Sequence, residues 1–120
     1  MKVFIPSNVP SSKNSKVWTG KFLVSSKATQ RWKKNTAEYW ELFRPRFVKA
    51  LKIRKKPYKI SFKFIRDSRR RFDYVNPLQT VQDEMVEYGW LEDDNADELI
   101  PVFEKYEYDK KNPGVWITIL

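Results

Sequence analysis

Between Asp73 and Glu98 the chain carries nine Asp and Glu residues and not one Lys or Arg. Carboxylates crowded together without cations repel one another unless a proton or a divalent ion intervenes. Mg²⁺ favours such oxygen ligands while retaining several of its waters. Immediately upstream the sign reverses: Arg44 to Arg71 holds thirteen Lys and Arg against a single acid, Asp67. A basic surface that grips phosphates beside an acidic pocket that holds a metal ion is the electrostatic layout of a metal-dependent nuclease. Acidic clusters in polar turns are more commonly plain solvated surface, so charge alone leaves both readings open.

The residue types that are missing narrow the chemistry further. With no Cys and no His, thiolate or imidazole zinc sites and Ser-His-Asp or Cys-His triads are excluded. Hydrolysis near neutral pH then falls to carboxylates, amides, Lys, Tyr or a hard metal ion. A net charge of +9 on 120 residues favours a polyanionic partner, nucleic acid first. No apolar stretch is long enough to span a bilayer, and Met1 to Ile5 runs into Pro6 and a polar loop rather than into a signal-type apolar core. A cytoplasmic location, without membrane partners, is the expectation.

Elements that must position these residues can be read from periodicity. Lys2 to Ile5 predicts a strand, followed by a polar loop from Pro6 to Lys16. Val17-Trp18 and Phe22 to Val24 flank Thr19-Gly20-Lys21, a hairpin in which Gly20 supplies a positive φ. Ser25 or Ser26 then caps a helix whose stripe is Ala28, Trp32, Tyr39 and Phe43, and which Pro45 ends or kinks. Lys59 to Phe64 alternates strictly, with Ile60, Phe62 and Phe64 facing a core. Asn76-Pro77-Leu78-Gln79 announces a second helix with Asn76 as cap, a buried stripe of Leu78, Val81, Met85 and Tyr88, and Gly89 as its stop. A polar turn from Glu92 to Glu98 follows. Strands from Leu99 to Tyr108 and from Gly114 to Leu120 are expected to form a hairpin about Lys110 to Pro113. Strands interrupted by two helices predict one α+β domain over residues 1–120, a mixed sheet with the helices packed on it.

Several of these segments together resemble the RusA-type Holliday junction resolvases. The resemblance runs through Arg69-Arg70-Arg71-Phe72-Asp73-Tyr74-Val75-Asn76-Pro77-Leu78-Gln79, then Asp83, then Gly89-Trp90-Leu91-Glu92-Asp93-Asp94-Asn95. Toward the N-terminus, Ile5-Pro6-Ser7, Pro10 to Asn14, Val24 to Ser26, Gln30 and Trp32 fall where that family has its Pro/Ser/Asn loop and first helix. No single piece is highly specific; their order and spacing carry the likeness. It implies a homodimer that nicks four-way DNA junctions in pairs with Mg²⁺, or Mn²⁺, and it implies a phage setting. It places catalytic, metal-binding carboxylates at Asp73 and Asp94, with Asp93 beside them.

The chain departs from the family pattern at two positions. Val75 stands where the family has the second Asp of an Asp-x-Asp-Asn element, and Gln79 where it has a helical Lys. Valine cannot bind a metal, so Asn76, Asp83 or Asp93 completes the site, or activity has been lost and DNA binding kept. Asp83 reads equally as a metal ligand, an orienter of one, or a solvated helix residue. The DNA-binding candidates are Lys13, Lys16, Lys21, Arg69, Arg70 and Arg71, contacting phosphates rather than reading bases. Trp90 is expected in the core or at a dimer interface rather than stacked on a base. The alternative to a nuclease is a catalytically weakened or inactive protein that binds branched or single-stranded DNA.

Overall fold

A computed structural model of the chain describes residues 1–11 and 26–120 in full, and between them the backbone of two short strands. In chain order the elements are β1 (Lys2–Pro6), β2 (Lys16–Trp18), β3 (Leu23–Ser25), α1 (Lys27–Leu51), β4 (Tyr58–Arg66), α2 (Val75–Glu87), β5 (Leu99–Phe103), β6 (Glu107–Tyr108) and β7 (Gly114–Ile119). The main sheet is ordered β1-β7-β4-β5, with β6 continuing along β4 beyond β5. β7 runs antiparallel to β1 and β4, whereas β5 and β6 are parallel to β4. This is the expected single α+β domain with a mixed sheet and two helices. No helix among the described residues is long and apolar enough to cross a membrane.

Strand alternation builds the core directly. The register aligns Ile5, Val115 and Phe64 in one cross-strand row and Val3, Ile117 and Phe62 in the next. All six are buried, and α1 and α2 add Trp40, Phe47, Val81 and Met85 to the same cluster. Gly114 lies where β7 meets β1 so closely that any Cβ there would collide with the Ile5 carbonyl and the Phe4 ring.

The strand boundaries agree with the alternation at β1, β4 and β7, but the region from Leu99 to Tyr108 is not one strand. Pairing shifts from Phe62 opposite Phe103 to Ile65 opposite Glu107, so one extra residue separates β5 from β6. Such an insertion bends an edge strand. Here it brings the Tyr106 N–H to the Tyr74 hydroxyl at 3.0 Å. The expected hairpin about Lys110 to Pro113 is also corrected. β6 and β7 lie on opposite sides of β4 and do not pair with each other. The segment instead crosses the end of β4, with the Asp109 side chain accepting from the Lys111 and Asn112 N–H groups.

Ser26 is the N-cap of α1, accepting from the Thr29 N–H at 3.2 Å. The buried stripe of α1 is Thr29, Trp32, Thr36, Trp40, Phe47 and Leu51. Ala28 is exposed, while Tyr39 and Phe43 pack only at the margin of the core. Pro45 lies inside the helix and does not end it. A mid-helix proline costs about 3 kcal/mol, and burying Phe47 and Leu51 beyond it is worth a comparable amount. The backbone of β2 and β3 forms the expected antiparallel hairpin; its Gly20 turn lies outside the described residues.

Candidate functional site

β4 delivers the basic run to the surface. Past its last residue the chain leaves the sheet, and Arg69, Arg70, Arg71 and Asp73 are all exposed. Aromatic side chains fix this exit: Phe72 packs edge-on against Tyr74 at 5.4 Å and against Tyr106 at 5.0 Å. The Arg69 guanidinium lies over the Tyr108 ring at 4.7 Å, which holds a long side chain in place without consuming its charge.

α2 begins differently from its expected start. Its N-cap is Tyr74, without a capping side-chain hydrogen bond, and Asn76 lies within the first turn. Pro77 is tolerated because N–H groups of a first turn have no helical partner to lose. The Asn76 N–H instead donates to the Asp73 carbonyl at 3.1 Å, tying Asp73 to the helix start. Burial of α2 extends beyond the Leu78, Val81 and Met85 stripe to Thr80, Gln82 and Glu84, because the helix is covered on more than one side. Asp83 stays half-buried and accepts from the Gln79 amide at 3.0 Å, one turn earlier on the same face.

The helix ends at Gly89, as its sequence position suggests. Gly89 takes φ +75°, its N–H donates to the Val86 carbonyl, and the Trp90 N–H reaches back to Met85 at 2.8 Å. This paired closure needs a left-handed residue, which glycine adopts without penalty. Trp90 is thereby driven into the core, where its indole N–H donates to the Trp40 carbonyl at 2.9 Å.

The turn that follows separates the two neighbouring aspartates. Asp93 is exposed and accepts from the Asp94 N–H at 2.7 Å and the Asn95 amide at 3.0 Å. These donors hold its carboxyl below the ordinary range, the Asp94 N–H most strongly. Asp94 is half-buried, and its carboxyl is raised above the ordinary range. Burial is the main cause, followed by the hydrogen-bonded Asp93 and by the negative charges of Asp93 and Asp83. Of these, Asp83, on α2, contributes least.

Other carboxylates in the acidic segment, which have no cation near them in sequence, find cations from distant parts of the chain. Lys56 bridges Glu92 at 3.2 Å and Glu98 at 2.8 Å, and Lys33 lies 3.6 Å from Glu84. Asp83, Asp93 and Asp94 have no such ion pair among the described residues. No group of three or more Asp or Glu able to hold a metal ion is assembled among the described residues. Mg²⁺ requires only one or two carboxylates beside its waters, and Asp94, half-buried and without an ion pair among the described residues, is of the type that smaller set needs. Of the basic candidates, Lys13 and Lys21 and the side chain of Lys16 lie outside the described residues.

Glu84 is a buried acid that sequence periodicity did not single out. It is 2% exposed, and its carboxyl is raised, mainly by burial and against the opposing pull of Lys33. The folded state thus holds this proton more tightly than the unfolded chain does. Its contribution to stability is full below the unfolded carboxyl range and declines as pH rises through the folded pKa. Glu84→Gln is expected to remove that decline and leave the protein at least as stable as the parent at pH 7, since Lys33 reaches water. Urea denaturation at pH 4 and pH 7 checks this; a larger destabilisation at pH 7 than at pH 4 would overturn it.

A comparison with models of known protein families found no match, and a comparison with characterised proteins found none either.

Proposed function

We propose that this protein is a structure-selective DNA endonuclease of the RusA type, a homodimer that nicks branched DNA with the help of Mg²⁺. The observation that carries the reading is an acidic pair, Asp83 half-buried on α2 and Asp94 half-buried in the turn beyond it, neither with an ion pair among the described residues. It belongs to a chain whose exposed arginines lead directly into Asp73. When bound, Mg²⁺ supplies a water of lowered pKa and neutralises charge on the scissile phosphate. Asp83 and Asp94 would hold it, with Gln79 fixing the Asp83 carboxylate through their hydrogen bond. Asp73, which the family resemblance makes a ligand, would complete the anionic side of the site, and Arg69 to Arg71 would take neighbouring phosphates, which positions strands without reading sequence.

The second reading, a junction-binding protein that does not cut, is favoured by one specific observation. Val75, which stands where the family pattern has a carboxylate, is 66% exposed at the start of α2 and offers no ligand there.

A labelled synthetic four-way junction decides between them. Symmetric nicks that require Mg²⁺ are expected, from a particle of twice the 14.5 kDa chain mass by light scattering, because paired cuts need two sites at a fixed separation. Junction affinity should fall steeply with salt, and the triple variant Arg69→Glu, Arg70→Glu, Arg71→Glu should flatten the log–log salt slope by roughly 3. Binding with no nicking at any Mg²⁺ or Mn²⁺ concentration selects the second reading. An unchanged salt slope would remove the arginines from the DNA surface.

A further inference from the structure

Where β4 ends, the loop after β1 folds back over it and the two enclose a polar cleft of about 570 Å³. Its floor is Arg66, the last residue of β4 and only 6% exposed. Among the described residues no carboxylate forms an ion pair with this guanidinium, and only the neighbouring Asp67 acts on it through charge. The guanidinium donates to the Val9 carbonyl and, at 2.8 Å, to the Ser11 hydroxyl, and it lies over the Phe72 ring at 4.7 Å. These contacts leave N–H donors to spare, since a guanidinium carries five. A buried cation whose nearest counter-charge is the exposed Asp67 carboxylate is expensive to maintain. Arg70 and Arg71 line the same cleft, against the lone carboxylate of Asp67.

Among the described residues the neutral groups around it share one property: each accepts a hydrogen bond and none donates one. Asn8 spends its side-chain oxygen on the Asp67 N–H at 3.0 Å, and its NH₂ group has no partner among the described residues. Ser11 accepts from Arg66, and Ser68 accepts from the Arg70 N–H at 3.4 Å, leaving both hydroxyl protons available. A cleft that presents donors from three guanidinium groups, an amide and two hydroxyls is matched to a tetrahedral oxyanion, which only accepts.

We propose that this cleft is a phosphate-binding subsite, built by Arg66, Arg70, Arg71 and Asn8, that seats one phosphate group of a bound nucleic acid. The proposal deepens the DNA-binding reading by naming the residues that hold a backbone phosphate. Its readout is binding, so it stands or falls apart from nicking.

The test follows the backbone amide signals of Asp67, Ser68 and Arg70, which line the cleft, by NMR in the full chain during titration with inorganic phosphate, and separately with a five-residue oligothymidylate. Both probes should shift these signals. Arg70→Ala and Arg71→Ala should each weaken binding on the order of tenfold, the loss of one charge-assisted contact. Arg66 anchors the loop, and its removal risks the fold. Asn8→Asp is therefore the decisive variant: it keeps the oxygen that accepts from Asp67 N–H, replaces the donors by a negative charge, and should abolish binding of both probes. Lys52→Ala with Lys55→Ala, exposed residues outside this cleft, should leave phosphate affinity unchanged. A response to inorganic phosphate alone would keep the oxyanion site and remove nucleic acid as its source. No response to either probe at millimolar concentrations, wild-type binding by Asn8→Asp, or an equal loss in the Lys52/Lys55 variant would overturn the proposal.

Discussion

Asp94→Asn is expected to reduce junction nicking by about 10³-fold or more, with junction binding unchanged or tighter. A metal ion contributes several kcal/mol of charge stabilisation in such a reaction, and each 1.36 kcal/mol or so is tenfold in rate. A neutral amide holds Mg²⁺ weakly, so the substitution forfeits that contribution. The same change removes a negative charge from a surface that faces a polyanion, which is why binding should not suffer. Asp73→Asn should behave alike. Asp93→Asn is expected to cost less, roughly 10–100-fold, because Asp93 is exposed and acts by accepting the Asp94 N–H and shaping the turn. Asp83→Asn separates two roles: a loss as deep as that of Asp94→Asn makes Asp83 a ligand, and a shallow one makes it an orienter. Val75→Asp is the complementary gain, since it restores a carboxylate at an exposed position of the first turn of α2. Nicking assays on one labelled junction, paired with gel-shift affinities, check the whole set; wild-type cleavage by Asp94→Asn would remove it from the site.

Trp90→Ala is expected to lower the unfolding free energy by about 3–5 kcal/mol, the usual cost of deleting a large buried aromatic. Few domains of this size have more than 5–15 kcal/mol to lose. The indole packs at 4.4 Å from the Phe47 ring and 4.9 Å from the Trp40 ring, the latter edge-on. It also ties α1 to the end of α2 through the Trp40 carbonyl. Trp90→Phe keeps most of the apolar contact but not the N–H donor, and should lose about 1–2 kcal/mol. Urea denaturation measures both. A Trp90→Ala protein of parental stability with selectively weakened DNA binding would show instead that the indole serves the ligand and not the core.

Some of this architecture is local in origin and therefore visible in the sequence. The alternation of Ile60, Phe62 and Phe64 determined β4, because side chains on a strand alternate regardless of what lies beside it. Ser26 as a cap and Gly89 as a stop were likewise legible, since each satisfies backbone groups within a few residues of itself. Asn76 was misleading for a related reason. Its type suits a cap, yet the tie between its N–H and the Asp73 carbonyl starts the helix earlier, and the Tyr74 hydroxyl is drawn away to the Tyr106 N–H.

What the tertiary structure alone decided involves partners far apart in the chain. The stripe of α1 was displaced from Ala28 toward Trp40 and Phe47 because Trp90, some 50 residues on, supplies the surface they pack against. Pro45 stayed inside the helix because burial beyond it offset a local penalty. β6 and β7 were parted by β4, which accepts pairing on both edges. The acidic segment was sorted in the same way: Lys33 pairs with Glu84 and Lys56 with Glu92 and Glu98, while Asp83 and Asp94 have no ion pair among the described residues. Arg66 shows the contrast most clearly. In sequence it is one basic residue among thirteen; in the fold it is buried beneath Asn8 and Ser11, because electrostatic neighbours are set by distance in space and desolvation by packing, neither of which the order of residues encodes.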